Sequence, residues 1–231
     1  MAHSASSKDA GLLPDATQIK LTLPEDAPAA VAIECGVDEV GIGSAIAEVY
    51  AAACILDPNR RINGLRDSKI LTPERRKELS DRIKERALDY CIATASLEEI
   101  EKFNVFGATM LAMQRAVAGL KIIPDIVLID GNRMPKLSIR ARTIIKGDAK
   151  VRSISAASIL AKVARDEVML KYHDQFPQYG FAQNKGYLTE FHLACLKTFG
   201  PCPLHRKGYE PVRLMLSPGA LEQQMDLEVD E

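Results

Sequence analysis

The pattern of apolar and polar positions divides the chain into short apolar runs and longer stretches of helical spacing. The runs at 31–37 and 48–56 are separated by a glycine-containing turn, which predicts two strands of a hairpin. A third strand is expected at 90–96. Two more are expected at 125–130 and 142–146, each with an aspartate and a glycine at or just beyond its end.

Three stretches have the spacing of amphipathic helices. Thr72 as N-cap and Pro73 at the first helical position predict a helix that runs to about residue 88. Apolar residues at helical intervals predict a second helix over 104–120 and a third over 153–175. This order of strands and helices predicts an α/β layered domain with a mixed central sheet flanked by helices.

The two ends of the chain differ from this patterned region. Residues 1–30 mix small, polar and proline residues without a sustained period, and residues 217–231 are strongly acidic, so both are expected to be tails. One domain is expected over 31–216. No signal peptide or membrane-length apolar run is evident, and the five scattered cysteines fit free thiols. We therefore expect a cytoplasmic protein.

The charge is unevenly distributed along the chain. The net charge is -1, but removing the acidic ends leaves 28 basic and 22 acidic residues in 31–216, a net of +6. Such a surplus suits a polyanionic substrate, although an ordinary excess of lysine on a solvated surface would give the same count.

Four carboxylates stand at the predicted strand ends, each close to a glycine. They are Asp38, Glu39, Asp130 and Asp148. Loops at strand ends are where α/β domains build their sites, and four carboxylates suit two divalent cations that act on a phosphodiester. Aspartates at strand ends also commonly form turns, so spacing alone leaves both roles open. In a regular strand Asp38 and Glu39 would point to opposite faces.

Six motifs in order carry a family resemblance. They are Asp38-Glu39-Val40-Gly41-x-Gly43, Asp67-Ser68-Lys69, Ile129-Asp130-Gly131-Asn132, Lys146-Gly147-Asp148, the stretch 155–163 and Lys185-Gly186-Tyr187. Over about residues 33–215 the chain resembles ribonuclease HII, a type 2 ribonuclease H. The resemblance implies a ribonuclease H-like fold with a C-terminal helical extension that binds substrate. It also implies a monomeric endonuclease that uses Mg²⁺ or Mn²⁺.

The implied reaction is cleavage of RNA paired with DNA, and of duplex DNA on the 5′ side of single embedded ribonucleotides. Two-metal-ion hydrolysis would leave 3′-hydroxyl and 5′-phosphate ends. By resemblance the catalytic and metal-binding residues are Asp38, Glu39, Asp130 and Asp148. Asp166 is a rival for the fourth position, but it lies inside a predicted helix, where an Arg-Asp pair is usually structural.

The resemblance also assigns residues to the substrate. The loop Gly41-Ile42-Gly43 would read the ribose 2′-hydroxyl with its backbone, and Tyr187 would pack against the sugar next to the cleaved bond. Phosphate contacts are expected from a polar and basic set, namely Ser68, Lys69, Lys146 and Lys185. His192 and His205 could either make structural hydrogen bonds or contact phosphate.

The chain departs from the family pattern at the front of the site. The family loop is Gly-Arg-Gly followed by Pro-Leu-Ala-Gly-Pro, so Ile42 replaces an arginine, and Glu48 is expected to replace a glycine. The alternative function is therefore a hybrid-binding homologue with impaired junction cleavage. Resolvase-like cleavage of DNA is a third interpretation, which the ribose-directed glycines and tyrosine oppose.

One further prediction concerns the C-terminal tail. In this family a C-terminal hydrophobic segment can dock on a sliding clamp, and Gln223-Gln224-Met225-Asp226-Leu227 has some of that character. A solvated acidic tail is the simpler interpretation of the same residues. No membrane partner is expected.

Overall fold

The computed structural model describes residues 32–65 and 70–217. The two predicted tails lie outside the described residues, apart from Ser217, and so do Ser68 and Lys69. Among the described residues, no helix combines the length and apolar character needed to cross a bilayer.

Five strands and seven helices organise the described part of the chain. The strands are β1 (Glu34–Val40), β2 (Val49–Ile55), β3 (Asp89–Ala95), β4 (Ile126–Asp130) and β5 (Ala141–Ile144). The helices are α1 (Pro73–Arg86), α2 (Leu97–Ala118), α3 (Gly147–Lys150), α4 (Arg152–Gln175), α5 (Phe181–Asn184), α6 (Glu190–Phe199) and α7 (Glu210–Leu216), with a 3₁₀ turn at Pro177–Tyr179. The predicted order up to α4 is confirmed.

The strands form one mixed sheet in the order β3-β2-β1-β4-β5. The predicted hairpin is confirmed, because β1 and β2 pair antiparallel, as do β2 and β3. β1, β4 and β5 are parallel to one another, so their carboxyl ends meet at one edge of the sheet. That shared edge is where the sequence places its aspartates.

Helices cover both faces of the sheet. The α2 side buries Cys35 and Val37 of β1 with apolar residues of β2 and β4. The opposite side packs against α1 and α4. Side chains alternate along a strand, so Gly36 and Asp38 face α4. A Cβ atom on Gly36 would come closer than 3.0 Å to backbone atoms of Ser153 and Ile154, which explains the glycine.

The observed boundaries correct several predictions. β1 continues through Asp38 and Glu39 to Val40, so this pair lies within a paired strand, rather than beyond its end. β5 ends at Ile144, and Lys146 adopts a left-handed conformation (φ 57°) ahead of α3, because the chain turns there.

The second helix begins earlier than its apolar spacing predicts. Ser96 and Glu99 form a capping box at its start. At Asn104 the backbone is non-helical (φ 57°), and the Asn104 side chain accepts hydrogen bonds from the Phe106 and Gly107 amides. The predicted helix start at residue 104 thus coincides with a second N-cap, and α2 begins earlier because the turns from Leu97 onward have their own cap at Ser96.

The region after α4 is helical. It forms α5, α6 and α7, which pack with the 44–47 segment around a third apolar cluster. Tyr179 and Phe181 stack in this cluster with ring centroids 5.3 Å apart. The expected C-terminal helical extension is thus anchored directly against the loop that follows β1.

Candidate functional site

Three carboxylates converge at the carboxyl edge of the parallel strands. Asp38 of β1, Asp130 at the end of β4 and Asp148 of α3 each offer an oxygen within 4.8 Å of the others. The β1–β4 register pairs Val37 with Ile129, so the aspartates that follow them lie on the same face. The sequence therefore places these three residues and the fold brings them together.

The turn into α3 holds the Asp130 carboxylate against the backbone of Asp148. Asp130 Oδ1 accepts hydrogen bonds from the Gly147 amide (2.6 Å) and the Asp148 amide (3.4 Å). The left-handed conformation of Lys146 directs both amides back toward β4. Since a Cβ on Gly147 would meet Ile154 at 2.6 Å and Asp130 Oδ1 at 3.2 Å, the glycine of this motif is required for close packing.

Asp38 is the most deeply buried member of the group, with 5% of its surface exposed. Burial raises the pKa of Asp38 well above its usual range, and the charges of Glu39 and Asp130 raise it further. Hydrogen bonds from Ser158 of α4 and from the Glu39 amide (2.8 Å) act in the opposite direction. Three crowded carboxylates, two of them buried, are costly unless a cation joins them.

Glu39 is not part of this three-residue group. The alternation of β1 directs it to the face opposite Asp38, as expected for adjacent residues of a regular strand. Its charge still raises the pKa of Asp38, so the two carboxylates lie within electrostatic reach. Its place as a fourth ligand stays a prediction.

Asp166, the rival position, is engaged elsewhere. Its carboxylate pairs with Arg76 of α1 at 3.0 Å and with Lys162 one turn earlier on α4 at 2.7 Å. The first of these ion pairs joins α1 to α4, and the second lies within α4. The geometry gives Asp166 a structural role and leaves Asp148 with the carboxylate group.

The Gly41–Gly43 loop leaves β1 directly after the carboxylates, over a buried guanidinium. Arg165 of α4 has none of its surface exposed and donates to Ser44 Oγ (2.7 Å) and to the Lys185 carbonyl (2.9 Å). A Cβ on Gly41 would lie 2.6 Å from Arg165 Nε, and Gly41 has φ +100°. Glycine is therefore needed here both for conformation and for space.

A second buried arginine holds the far side of the same loop. Arg206 donates from Nη1 to the Ile42 carbonyl (3.0 Å) and from Nε to the Ala47 carbonyl (2.8 Å). Burial lowers the pKa of Arg206 to about 10, Arg165 adds to this, and the charge of Glu48 opposes it. Ile42 contributes its backbone to this anchor, and its half-buried side chain brings no charge.

The structure corrects the expectation for Glu48. The left-handed conformation falls on Ala47 (φ 62°), which is the residue that corresponds to the glycine of Pro-Leu-Ala-Gly-Pro when that pattern is laid over 44–48. Glu48 instead accepts hydrogen bonds from the Tyr172 hydroxyl at 3.0 and 3.1 Å. Its carboxylate thus faces α4 beside two buried guanidiniums, since it also perturbs the pKa of both.

The Lys185–Tyr187 segment docks on the loop that follows β1. The Ala45 amide and Ser44 Oγ both donate to the Gly186 carbonyl, at 2.9 and 3.1 Å. Tyr187 is 40% exposed, and a Cβ on Gly43 would lie 3.7 Å from its ring. The fold therefore brings together two segments that are about 140 residues apart in sequence.

The other sequence-assigned residues are distributed around this centre. Lys146 is exposed in the turn before α3, and Lys185 is half-buried with φ 51°. Asn184 is buried; its side chain donates to the Tyr179 carbonyl (2.6 Å) and accepts from the Gly186 amide (2.8 Å). It shapes the turn that presents Tyr187.

Sequence reasoning missed the residues that support the site from beneath. Ser158, Arg165 and Arg206 bear no recognisable spacing to the aspartates, and charged residues are expected at the surface. Two sequence signals were available: Ser158 lies within the 155–163 motif, and Arg165 stands among apolar positions of the predicted third helix.

Comparison with known proteins adds a family assignment to this geometry. The family model described as Ribonuclease HII matches residues 35–211. A ribonuclease HII from Desulforamulus reducens is 56% identical over 184 residues, which cover 80% of this chain and 93% of that protein. Ribonuclease HII 1 from Methylibium petroleiphilum is 57% identical over 188 residues, 81% of this chain and 95% of that protein.

Solved structures share the fold. The crystal structure of ribonuclease H2 from Pyrococcus horikoshii OT3 superposes with a TM-score of 0.66 at 26% identity, covering 79% of this chain and 96% of that one. The ribonuclease HII chain in the PCNA:RNase HII complex from Archaeoglobus fulgidus has a TM-score of 0.61 at 22% identity, covering 77% and 95%. The second likeness shows the fold alone.

Proposed function

The chain belongs to the ribonuclease HII family, and on that basis we propose that it cuts duplex DNA on the 5′ side of an embedded ribonucleotide as well as RNA paired with DNA. It is a ribonuclease H, a hydrolase of phosphodiester bonds that acts on RNA/DNA substrates. The observation that carries the finer proposal is the group formed by Asp38, Asp130 and Asp148, next to a glycine loop suited to reading a ribose.

The carboxylate group is fitted to hard divalent cations. Its donors are all oxygens, and two of the three side chains are buried. Burial and the charges of Glu39 and Asp130 raise the pKa of Asp38, and a bound cation would oppose this shift. Enzymes of this family depend on metal, and Mg²⁺ or Mn²⁺ would be held by these three residues, with Glu39 proposed as a fourth ligand. When bound, two such ions supply an activated water and neutralise charge on the phosphate.

The rest of the site positions the strand to be cut. The backbone of the Gly41–Gly43 loop, held from below by Arg165 and Arg206, can meet a 2′-hydroxyl without a side chain in the way. Tyr187 stands beside Gly43, where its ring can pack on the sugar. Lys146 and Lys185, with Ser68 and Lys69 outside the described residues, are proposed phosphate contacts.

The central test compares two aspartates that the structure separates. Asp148→Asn should abolish cleavage of an RNA/DNA hybrid in both Mg²⁺ and Mn²⁺. Asp166→Asn should lower the melting temperature, since it weakens ion pairs with Arg76 and Lys162, but it should retain cleavage. The position of the cut is mapped at single-nucleotide resolution on a DNA duplex that contains one ribonucleotide.

Either of two results would overturn the proposal. If Asp148→Asn retained cleavage and Asp166→Asn lost it, the catalytic carboxylate would be Asp166 on α4 and not Asp148. A wild-type protein that binds a hybrid but leaves it uncut with Mn²⁺ would favour the hybrid-binding alternative.

Ile42 gives the chain a distinct substrate prediction. Its backbone carbonyl is anchored by Arg206, so the loop keeps its shape, but the site lacks the arginine charge of the family pattern. Ile42→Arg should therefore raise cleavage at a single embedded ribonucleotide by about tenfold, the effect of one charge-assisted hydrogen bond. Ile42→Gln is the uncharged control. Equal junction rates for all three proteins would refute the idea.

Binding of a sliding clamp through the acidic C-terminal tail is a further proposal. The A. fulgidus ribonuclease HII, whose fold this chain shares, forms a complex with PCNA. Truncation after Leu216 should leave hybrid cleavage unchanged and remove any binding to the clamp of the source organism. A monomeric state and a cytoplasmic location likewise stay predictions.

A further inference from the structure

A buried pair of histidines lies behind the Tyr187 segment. His192 of α6 and His205, in the loop before α7, expose 0% and 3% of their surface, and their Nε2 atoms are 3.1 Å apart. Both rings pack edge-on against Tyr179, at centroid distances of 6.0 and 5.1 Å. Both rings are buried, so neither is exposed to a phosphate of the substrate.

Hydrogen bonds extend from each end of the pair. His192 Nδ1 lies 3.0 Å from the Tyr187 carbonyl, which also accepts from the Thr189 amide at 2.9 Å. At the other end, the Cys202 amide donates to His205 Nδ1 at 2.9 Å. The Cys202 thiol and carbonyl lie 3.1 and 3.2 Å from the same nitrogen. A continuous chain of contacts therefore runs from Cys202 to Tyr187.

The positions of the imidazole protons follow from the Tyr187 carbonyl at one end of this chain of contacts and the Cys202 amide at the other. The Tyr187 carbonyl can only accept, so His192 must carry its proton on Nδ1, which makes its Nε2 an acceptor. The Cys202 amide, at 2.9 Å, is nearer to His205 Nδ1 than the Cys202 carbonyl, which already accepts from the His205 amide at 3.0 Å. Because an amide N–H can only donate, His205 accepts at Nδ1 and donates from Nε2. These two requirements agree at the central contact, where His205 donates to His192. Burial lowers the pKa of both rings, that of His205 to about 4, which keeps both neutral.

From this geometry we infer that His192 and His205 are positioning residues for Tyr187, which set the orientation of the tyrosine against the ribose of the substrate. The inference rests on the proposed substrate role of Tyr187. The Lys185–Gly186 turn before Tyr187 has two successive left-handed residues (φ 51° and 80°), so it does not fix the direction of the tyrosine by regular structure. The Tyr187 amide donates to the Asn184 carbonyl at 2.9 Å, and the histidine pair adds a second constraint by tying the Tyr187 carbonyl to α6 and to the 202–205 loop.

The histidine pair is also connected to the segment that follows the Gly41–Gly43 loop. Residue 205 forms a bridge with Ile46 in the segment after the glycine loop, and the Arg206 amide donates to the Ala45 carbonyl at 2.8 Å. Through His205, the position of Tyr187 is thus linked to the loop that it must face across the sugar. A change in the pair should alter how the two segments meet.

The test is a double-mutant cycle between His192 and Tyr187. His192→Leu removes the donor, His192→Asn keeps an amide N–H where Nδ1 lies, and Tyr187→Ala removes the ring but keeps the carbonyl. Binding is measured in Ca²⁺ to a duplex with one ribonucleotide and to an all-DNA duplex of the same sequence, and kcat and KM are measured in Mg²⁺. His173→Asn, a half-buried histidine on α4, is the matched control.

The expected result is selective. His192→Leu should weaken binding to the ribonucleotide duplex by about three- to tenfold, as expected for one hydrogen bond, and should change binding to all-DNA duplex much less. His192→Asn should restore most of the loss. In the Tyr187→Ala background His192→Leu should have little further effect, because its influence passes through the ring.

Three outcomes would overturn the inference: additive effects in the cycle, equal losses on both duplexes, or no rescue by asparagine. If His192→Leu does not fold, the pair His205→Gln, which keeps a donor near Nε2, and His205→Met, which lacks one, gives the same comparison. Failure of the wild-type protein to prefer the ribonucleotide duplex would instead refute the proposed function. The two failures are therefore distinguishable.

Discussion

Gly36→Ala tests the close approach of β1 and α4 that holds the carboxylates together. A methyl group at this position would come closer than 3.0 Å to the backbone of Ser153 and Ile154, whereas ordinary carbon contacts are about 3.5–4.0 Å. Backbone atoms cannot rotate away as side chains do, so the strand and the helix must separate by at least about 0.5 Å. The expected cost is about 3 kcal/mol, at the upper end for overpacked cores.

The separation should affect both stability and catalysis. For a chain of this size a cost of about 3 kcal/mol corresponds to a fall in melting temperature of about 6–12 °C. Asp38 lies on β1 and its hydrogen-bond donor Ser158 lies on α4, so the same movement should disturb the carboxylate group. Displacements approaching about 1 Å can cost about a hundredfold in rate, and we expect at least a tenfold loss.

The assay pairs thermal unfolding by circular dichroism with steady-state cleavage of an RNA/DNA hybrid. Gly208→Ala is the matched control, because a Cβ there would meet nothing within 4 Å, and both quantities should stay at wild-type values. If Gly36→Ala melts within about 2 °C of wild type and cleaves at the wild-type rate, the close approach does not constrain the site and the reasoning fails.

Three further predictions concern charge and hydrogen bonding. The pKa of His205 is lowered from 6.5 to about 4, so below about pH 6.5 the unfolded chain binds a proton at this residue that the native state does not. The free energy of unfolding should therefore fall by up to about 3 kcal/mol as the pH drops from about 6.5 toward 4. Urea unfolding at a series of pH values measures this, and a stability that does not change with pH would contradict it. Asp38→Asn should raise the melting temperature of the metal-free protein, since it removes a repelled buried charge, and should abolish stabilisation by added Mn²⁺; an unchanged Mn²⁺ shift would exclude Asp38 from the metal site. Arg206→Met should weaken binding to a ribonucleotide duplex, because the Ile42 and Ala47 carbonyls lose their donor, and unaltered affinity would show that the loop holds itself.

Local periodicities predicted most of the architecture. Apolar runs and caps give β1 to β5 and the three long helices, since burial of apolar residues and capping are properties of neighbouring residues in sequence. The aspartates could be identified for the same reason, because each stands beside a glycine at or near a strand end. Boundaries failed where a tertiary contact decides them, as at β1, which continues to Val40 because β2 pairs with it to that point.

Which charged residues meet and which are separated depends on tertiary structure. Asp38, Asp130 and Asp148 converge because parallel pairing sets β1 beside β4 and the turn after β5 places α3 next to them, whereas Glu39, the next residue of β1, is not part of the group. Arg206 contacts the Ile42 carbonyl across about 160 residues of sequence, and His192 acts on Tyr187 through a single carbonyl. No local sequence pattern encodes such contacts. The elements and the chemistry at their ends thus follow from neighbouring residues, whereas the packing of α4 and α6 against β1 and its loop sets how that chemistry is oriented.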